Sequence, residues 1–307
     1  MAAWTLPPEQ PCWPFDAGDW RMAMGLMALD PARWLMVDDS CPALLAERRV
    51  LLTNRHGAVT GFLPGSHDAQ AEVLALMADH LPRHFPGAYA RDGRHLTCHL
   101  TGETWDLDAA APNPLEVAGR LVAEDLCLLL PGDDGAPVLA AAVLCFPNRW
   151  RLREKLGRPM AGIHAPVALY GEKLGRPVDR FLETLAPERP VWRMNWGLND
   201  DPALFQPEEV AHTAADAALT PDNAGHRLFL RIERQTLRRL PATGAILFTI
   251  RTYQRALADL TGAEAAQVAH VLRTVPEPVA RYKGLPRTAG PALAFLDRVA
   301  ARATDPS

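Results

Sequence analysis

The residue best suited to chemistry is His164, in the segment Gly162-Ile163-His164-Ala165-Pro166-Val167. Gly and Pro shape the backbone on either side, and Ile163 and Val167 make the surroundings apolar. An imidazole held rigidly in such a pocket is what a haem iron takes as an axial ligand. One ring nitrogen binds the metal and the other donates to a nearby acceptor. The alternative is a buried, hydrogen-bonded histidine with a structural role. The segment lies between two echoing stretches, Glu154-Lys155-Leu156-Gly157-Arg158-Pro159 and Glu172-Lys173-Leu174-Gly175-Arg176-Pro177. Each reads as a helical turn with Gly as C-cap and Pro as terminator.

Arginine is the second chemical signal. The chain carries 29 arginines against three lysines, Lys155, Lys173 and Lys283. Codon bias accounts for most of such a surplus. The remainder is expected to bind planar anions, because a guanidinium forks onto a carboxylate with two hydrogen bonds where an ammonium offers a point charge. The candidates are Arg231, Arg234 and Arg251 on adjacent strands, with Arg149 ahead of the His164 region. Haem propionates are anions of this kind. Arg231, Glu233 and Gln235 alternate along one strand, and Thr249 and Arg251 along its partner. Such a polar face either meets solvent or lines an anion pocket. Trp192 and Trp196 either give a flat ligand its apolar contacts or simply pack the core.

Other constellations are weaker. His80/His84 and His95/His99 have helical ligand spacing, but Pro82 is expected to interrupt a helix through the first pair and the second pair reads as extended. His56 reads as part of a hairpin turn closed by Gly57, and His212 and His270 as helical. Cys145 is a thiolate candidate or a small buried core residue. No HExxH, CxxC, GxSxG, phosphate-binding or GxGxxG motif occurs, and there are only three serines. The formal net charge of −4 and the lack of a long basic run argue against nucleic acid as a partner. No apolar stretch approaches the roughly 20 residues of a membrane span. The N-terminus lacks the pattern of a signal peptide, and five widely spaced cysteines suit a reduced compartment, so a cytoplasmic location is expected.

These residues need elements to position them. Residues 1–40, rich in Trp and Pro, read as an irregular arm. Helices are expected at Leu44–Arg49 and Ala69–His80, and a strand or hairpin at Leu96–Leu107. Asp125–Leu130 and Pro137–Phe146 flank Pro-Gly-Asp-Asp-Gly and form a hairpin. About forty residues of short helices follow, then three alternating strands at Val191–Leu198, Arg227–Arg234 and Ala245–Tyr253, and finally helices at Ala263–Val275 and Pro291–Ala301. Two strands, a helical crossover and three strands give an α+β fold. This is the topology of a PAS domain: a five-stranded antiparallel sheet with a helical cup, a natural cofactor pocket. The division expected is an N-terminal extension (1–120), a PAS-like core (121–256) and a C-terminal helical segment (257–307).

The sequence resembles the haem-dependent oxidative N-demethylase family. The resemblance is carried by Asn54-Arg55-His56-Gly57, Gly61-Phe62-Leu63-Pro64-Gly65, Phe146-Pro147-Asn148-Arg149-Trp150, Ile163-His164-Ala165-Pro166-Val167, Arg193-Met194-Asn195-Trp196, Leu230-Arg231-Ile232-Glu233-Arg234-Gln235-Thr236-Leu237 and Phe248-Thr249-Ile250-Arg251-Thr252-Tyr253. It runs from about Leu45 to Arg255. It implies a haem b in a PAS-type domain, His164 as the iron ligand, and O2-dependent demethylation of a small secondary amine such as dimethylamine, with release of formaldehyde. It also implies partner subunits carrying FMN and an iron–sulfur cluster, NADPH as electron source and tetrahydrofolate as formaldehyde acceptor. No dinucleotide fingerprint or cysteine cluster occurs in this chain, so the reductase is expected on another one. A cationic amine would need an acceptor near the iron. Glu233 is the nominee, unless it serves only as the partner of Arg231 or Arg251 within the sheet. A non-catalytic haem sensor is the alternative function, and the sequence is compatible with a homo-oligomer.

Overall fold

The computed structural model describes residues 12–16, 18–109, 113–208 and 216–304. The N-terminal end of the expected arm and His212 lie outside them. Two long antiparallel hairpins form the framework. Strands β6 (Asp125–Pro131) and β7 (Pro137–Val143) flank a turn in which Gly135 takes a φ of +81°, open to residues without a Cβ. Strands β9 (Phe229–Arg239) and β10 (Ile246–Ala256) pair over their full length and turn at Gly244, with a φ of +71°. Strand β8 (Val191–Asn199) lies against β9.

The main sheet has seven strands, in the order β1-β8-β9-β10-β6-β7-β2, where five were expected. The two additions are β1 (Met27–Ala28), beside Val191 and Trp192, and β2 (Thr60–Phe62), beside Ala141 to Val143. Strands of two and three residues are too short to show a period of two, which is why the sequence pattern misses them. Strands β3 (Tyr89–Asp92), β4 (His95–Cys98) and β5 (Glu103–Asp106) form a separate small sheet, which includes the expected hairpin.

Helix α1 (Cys41–Asn54) is longer than the expected Leu44–Arg49, and α2 (His56–Val59) replaces the turn expected at His56. Gly57 there is helical and needs no positive φ. Helix α3 (His67–His84) runs through Pro82. A proline so near the end deletes a single hydrogen bond, and the ladder resumes with Phe85 N–H donating to the Leu81 carbonyl at 2.8 Å. His80 and His84 therefore do share a helix face, with ring centroids 4.3 Å apart. Helix α4 (Pro114–Leu121) follows. Between β7 and β8 come α5 (Met160–Ile163), α6 (Tyr170–Lys173) and α7 (Gly175–Thr184). The chain closes with α8 (Ala224–Arg227), α9 (Gly262–Thr274), α10 (Glu277–Tyr282) and α11 (Leu285–Thr304). A capping box between Thr261 and Glu264 starts α9.

Both faces of the sheet are covered. On one, Cys127, Leu129, Leu237, Ile246 and Ile250 pack with Leu152, Leu182 and Leu185 from the crossover. On the other, β6 and β7 meet α1, α3 and α4, while β8, β9 and β10 meet α9, α11 and the N-terminal Phe15. The expectation that one face of the last two strands is polar and the other apolar does not hold. Ile250 is paired with Gln235 and Thr252 with Glu233, whereas Arg251 is paired with Arg234. Each face thus mixes apolar and charged residues, and neither is given over to solvent.

Candidate functional site

His164 terminates α5, and its ring is oriented by that single turn of helix. Nδ1 stands 3.0 Å from the Met160 carbonyl oxygen. A carbonyl only accepts, so Nδ1 carries the proton and the Nε2 lone pair is left available. No hydrogen bond occupies Nε2 among the described residues. Burial lowers the imidazole pKa, against the Met160 carbonyl, and the charges of Lys155 and Arg193 add to the depression. The ring is therefore neutral near pH 7, the form that ligates a metal. Tyr170 stacks on it, with centroids 4.5 Å apart and planes 12° from parallel. Leu169 brings Tyr170 there by adopting a left-handed φ of +64°, a strained choice for a residue with a branched side chain. The Lys155 ammonium donates to the Ile163 carbonyl at 3.0 Å and lies over the Trp150 ring, which ties the preceding loop to α5.

The sheet surface on this side presents Arg193 and Asn195 from β8 and Arg231, Glu233 and Gln235 from β9. Glu233 is 8% exposed. Its Oε2 accepts from Gln235 at 2.9 Å and Asn195 at 3.3 Å, and its Oε1 lies 3.7 Å from Arg231 Nε. Arg231 is fully buried and donates to the Phe146 carbonyl at 2.5 Å and the Leu204 carbonyl at 3.0 Å. Arg193 donates to Gln235 at 3.3 Å, while its Nε is buried without a partner. From the C-terminal segment, Lys283 reaches the Trp196 carbonyl at 2.6 Å and Asn195 Oδ1 at 3.4 Å. Tyr282 keeps 41% of its surface accessible although burial, followed by the Glu233 charge, raises its phenol pKa.

The structure brings His164, Glu233 and Arg231 to one side of the sheet and separates them from three other candidates. Arg234 and Arg251 point to the opposite side. Arg234 donates to the carbonyls of Arg33 at 2.6 Å and Trp34 at 3.1 Å, and its guanidinium lies over Trp192. Arg251 is held by Asp38 and Ser40. Trp196 also lies there, 8% exposed in the core with Phe15 and Ile232. The residue period places Arg251 and Arg231 on the polar positions of their strands, but register decides which positions meet. Arg149 has a φ of +62° and is paired with Asp200 at 2.5 Å; Asp200 in turn binds Arg287. Cys145 is fully buried with its thiol pushed up to about 12, chiefly by burial, so it stays protonated. Sequence reasoning missed Arg193, Asn195, Tyr170, Tyr282 and Lys283. For Arg193 and Asn195 the signals were their alternation with Trp192 and Met194 and their place in a segment that carries the family resemblance; Tyr170, Tyr282 and Lys283 had none.

No group of three or more His, Cys, Asp or Glu among the described residues could hold a metal ion. A single neutral imidazole with a free Nε2, stacked on an aromatic ring on the side of the sheet that carries Arg193, suits an iron whose other ligands come from a macrocycle bearing carboxylates. Haem fits this donor set. Among the described residues no helix is long and apolar enough to cross a membrane. The family model described as haem-dependent oxidative N-demethylase, alpha subunit-like, matches residues 25–293. The chain belongs to that family.

Proposed function

We propose that this chain binds haem through His164 and catalyses the oxidative N-demethylation of a small secondary amine such as dimethylamine, releasing formaldehyde. The observation that carries this reading is the free, neutral Nε2 of His164, aimed from a helix end whose backbone fixes the tautomer. Family membership supplies the reaction class. The order β8-β9-β10-β6-β7, with α5 to α7 inserted after the second of these strands in sequence, supports a PAS-like core enlarged by β1 and β2.

Bound haem supplies O2 activation for oxidation of the N-methyl carbon. The protein's part is to hold and orient. His164 Nε2 is the ligand, with Met160 and Tyr170 fixing its plane. Glu233 is the acceptor for the amine: Asn195 and Gln235 occupy Oε2, so Oε1 is the oxygen presented to a donor. Arg231, anchored on two backbone carbonyls, holds that carboxylate in place. The alpha-subunit character of the family implies other subunits. We assign to them the flavin (FMN), the iron–sulfur cluster and the NADPH site, with tetrahydrofolate as acceptor of the formaldehyde.

The test is formaldehyde production from dimethylamine by the haem-loaded protein with a chemical reductant and O2. Formaldehyde formed in proportion to amine consumed supports the enzyme. A stable haem spectrum with O2 binding but no formaldehyde, with or without the reductase, supports a gas or redox sensor instead.

A further inference from the structure

The sheet face on the His164 side holds more positive charge than its own carboxylates neutralise. Glu233 is the acidic residue of this cluster, and Arg231 takes it at 3.7 Å. Asp125, whose charge also reaches Arg231, is committed to Arg48 at 2.6 Å. Arg149 pairs with Asp200, which it shares with Arg287. Arg193 and Lys283 remain. Among the described residues neither has a carboxylate in ion-pair contact; their hydrogen bonds go to neutral groups, the Gln235 amide for Arg193, the Trp196 carbonyl and the Asn195 amide for Lys283. Each also retains donor capacity. Arg193 Nε is buried with no partner. The Lys283 ammonium has three N–H groups; two are used on Asn195 and Trp196, and at this sheet edge the group also lies over the Trp196 ring at 4.6 Å, which leaves one N–H to donate.

Two uncompensated cations in a desolvated site are costly unless an anion joins them. The cost is visible in their acidities. Burial holds Arg193 below its usual range despite the Glu233 charge. Burial, again against Glu233 and assisted by Arg193, brings Lys283 down to about 8. The two reach the site from independent elements: Arg193 from β8, and Lys283 from the C-cap of α10, whose ammonium reaches Asn195 and Trp196 beyond the two residues of β8 that pair with β1.

Resting on the haem reading above, we propose that Arg193 and Lys283 form a clamp for the two carboxylates of the haem edge. Two spare positive charges match two propionates. A planar fork and a flexible point charge together accept carboxylates at unequal heights.

The test needs no turnover. Apo-protein is titrated with haem and with haem dimethyl ester, which keeps the macrocycle and iron but removes both charges, and binding is followed at the Soret band. Wild type is expected to bind haem roughly 10- to 100-fold more tightly than the ester, the range for one to two charge-assisted hydrogen bonds. Arg193→Gln and Lys283→Met are each expected to weaken haem binding about tenfold while leaving ester binding unchanged, and the double variant to bind both alike. Equal affinity of wild type for haem and ester overturns the proposal, as does an equal loss for both ligands in the variants, which would mark a packing role. The wild-type comparison decides the matter even if a variant fails to fold. Absence of any Soret band in wild type would instead remove the haem reading itself.

Discussion

Arg251 Nη2 stands 2.9 Å from both carboxylate oxygens of Asp38, a residue 213 positions earlier in the chain. This pair fastens the segment before α1 to the sheet on the side away from His164, and Arg234 fastens the adjacent Arg33-Trp34 segment in the same way. Burial alone would raise the Asp38 pKa; Arg251 and Ser40 outweigh it and hold the carboxylate below its usual range. Two arginines that read as anion-binding candidates are thus tethers between the sheet and the N-terminal segment.

Arg251→Lys is therefore expected to lower unfolding stability by about 2 kcal/mol, the scale of a charged hydrogen bond, and to leave haem stoichiometry unchanged. Urea unfolding and a haem titration read the two effects separately. Loss of haem binding at unaltered stability would return Arg251 to the cofactor.

His80 gives the fold a pH dependence. Burial, then the charges of His84, Arg238 and Arg83, bring its pKa to about 4, and its Nε2 is buried without a partner. A depressed histidine is neutral in the folded state while the unfolded chain takes up a proton near pH 6.5. Its contribution is complete above that pH and is lost as pH falls toward 4. His80→Gln is expected to shrink the fall in urea midpoint between pH 7.5 and pH 5.0. An unchanged difference between the two pH values would contradict this.

Glu233→Gln keeps the shape and one acceptor but removes the charge. Formaldehyde formation is expected to fall roughly 100-fold, the lower range for a positioned proton-handling group, with the Soret spectrum intact. Activity within a few-fold of wild type would leave Glu233 as the partner of Arg231 alone.

Much of this was legible in the sequence because it depends on short-range pattern. The β6–β7 hairpin is announced by Pro131-Gly132-Asp133-Asp134-Gly135, the last three core strands by their alternation, and the helix end at His164 by its Gly/Pro frame. What was not legible depends on pairing. Alternation assigns Arg251 to a polar position but cannot say that Arg234, not Arg231, lies across from it. Lys283 has no local signal: its contact with Asn195 spans 88 positions and exists only once the end of α10 is brought to β8. Pro82 misled in the other direction, since a proline in the last turn of α3 leaves the helix intact.

The central claim is that His164 holds the haem iron. The most direct measurement is the visible spectrum of His164→Ala beside wild type, both purified after haem supplementation and checked for folding by circular dichroism. Wild type is expected to show a Soret band at one haem per chain, and the folded variant to lose stoichiometric haem, with partial recovery on adding imidazole. A folded His164→Ala protein with the wild-type Soret band at full occupancy would contradict the assignment.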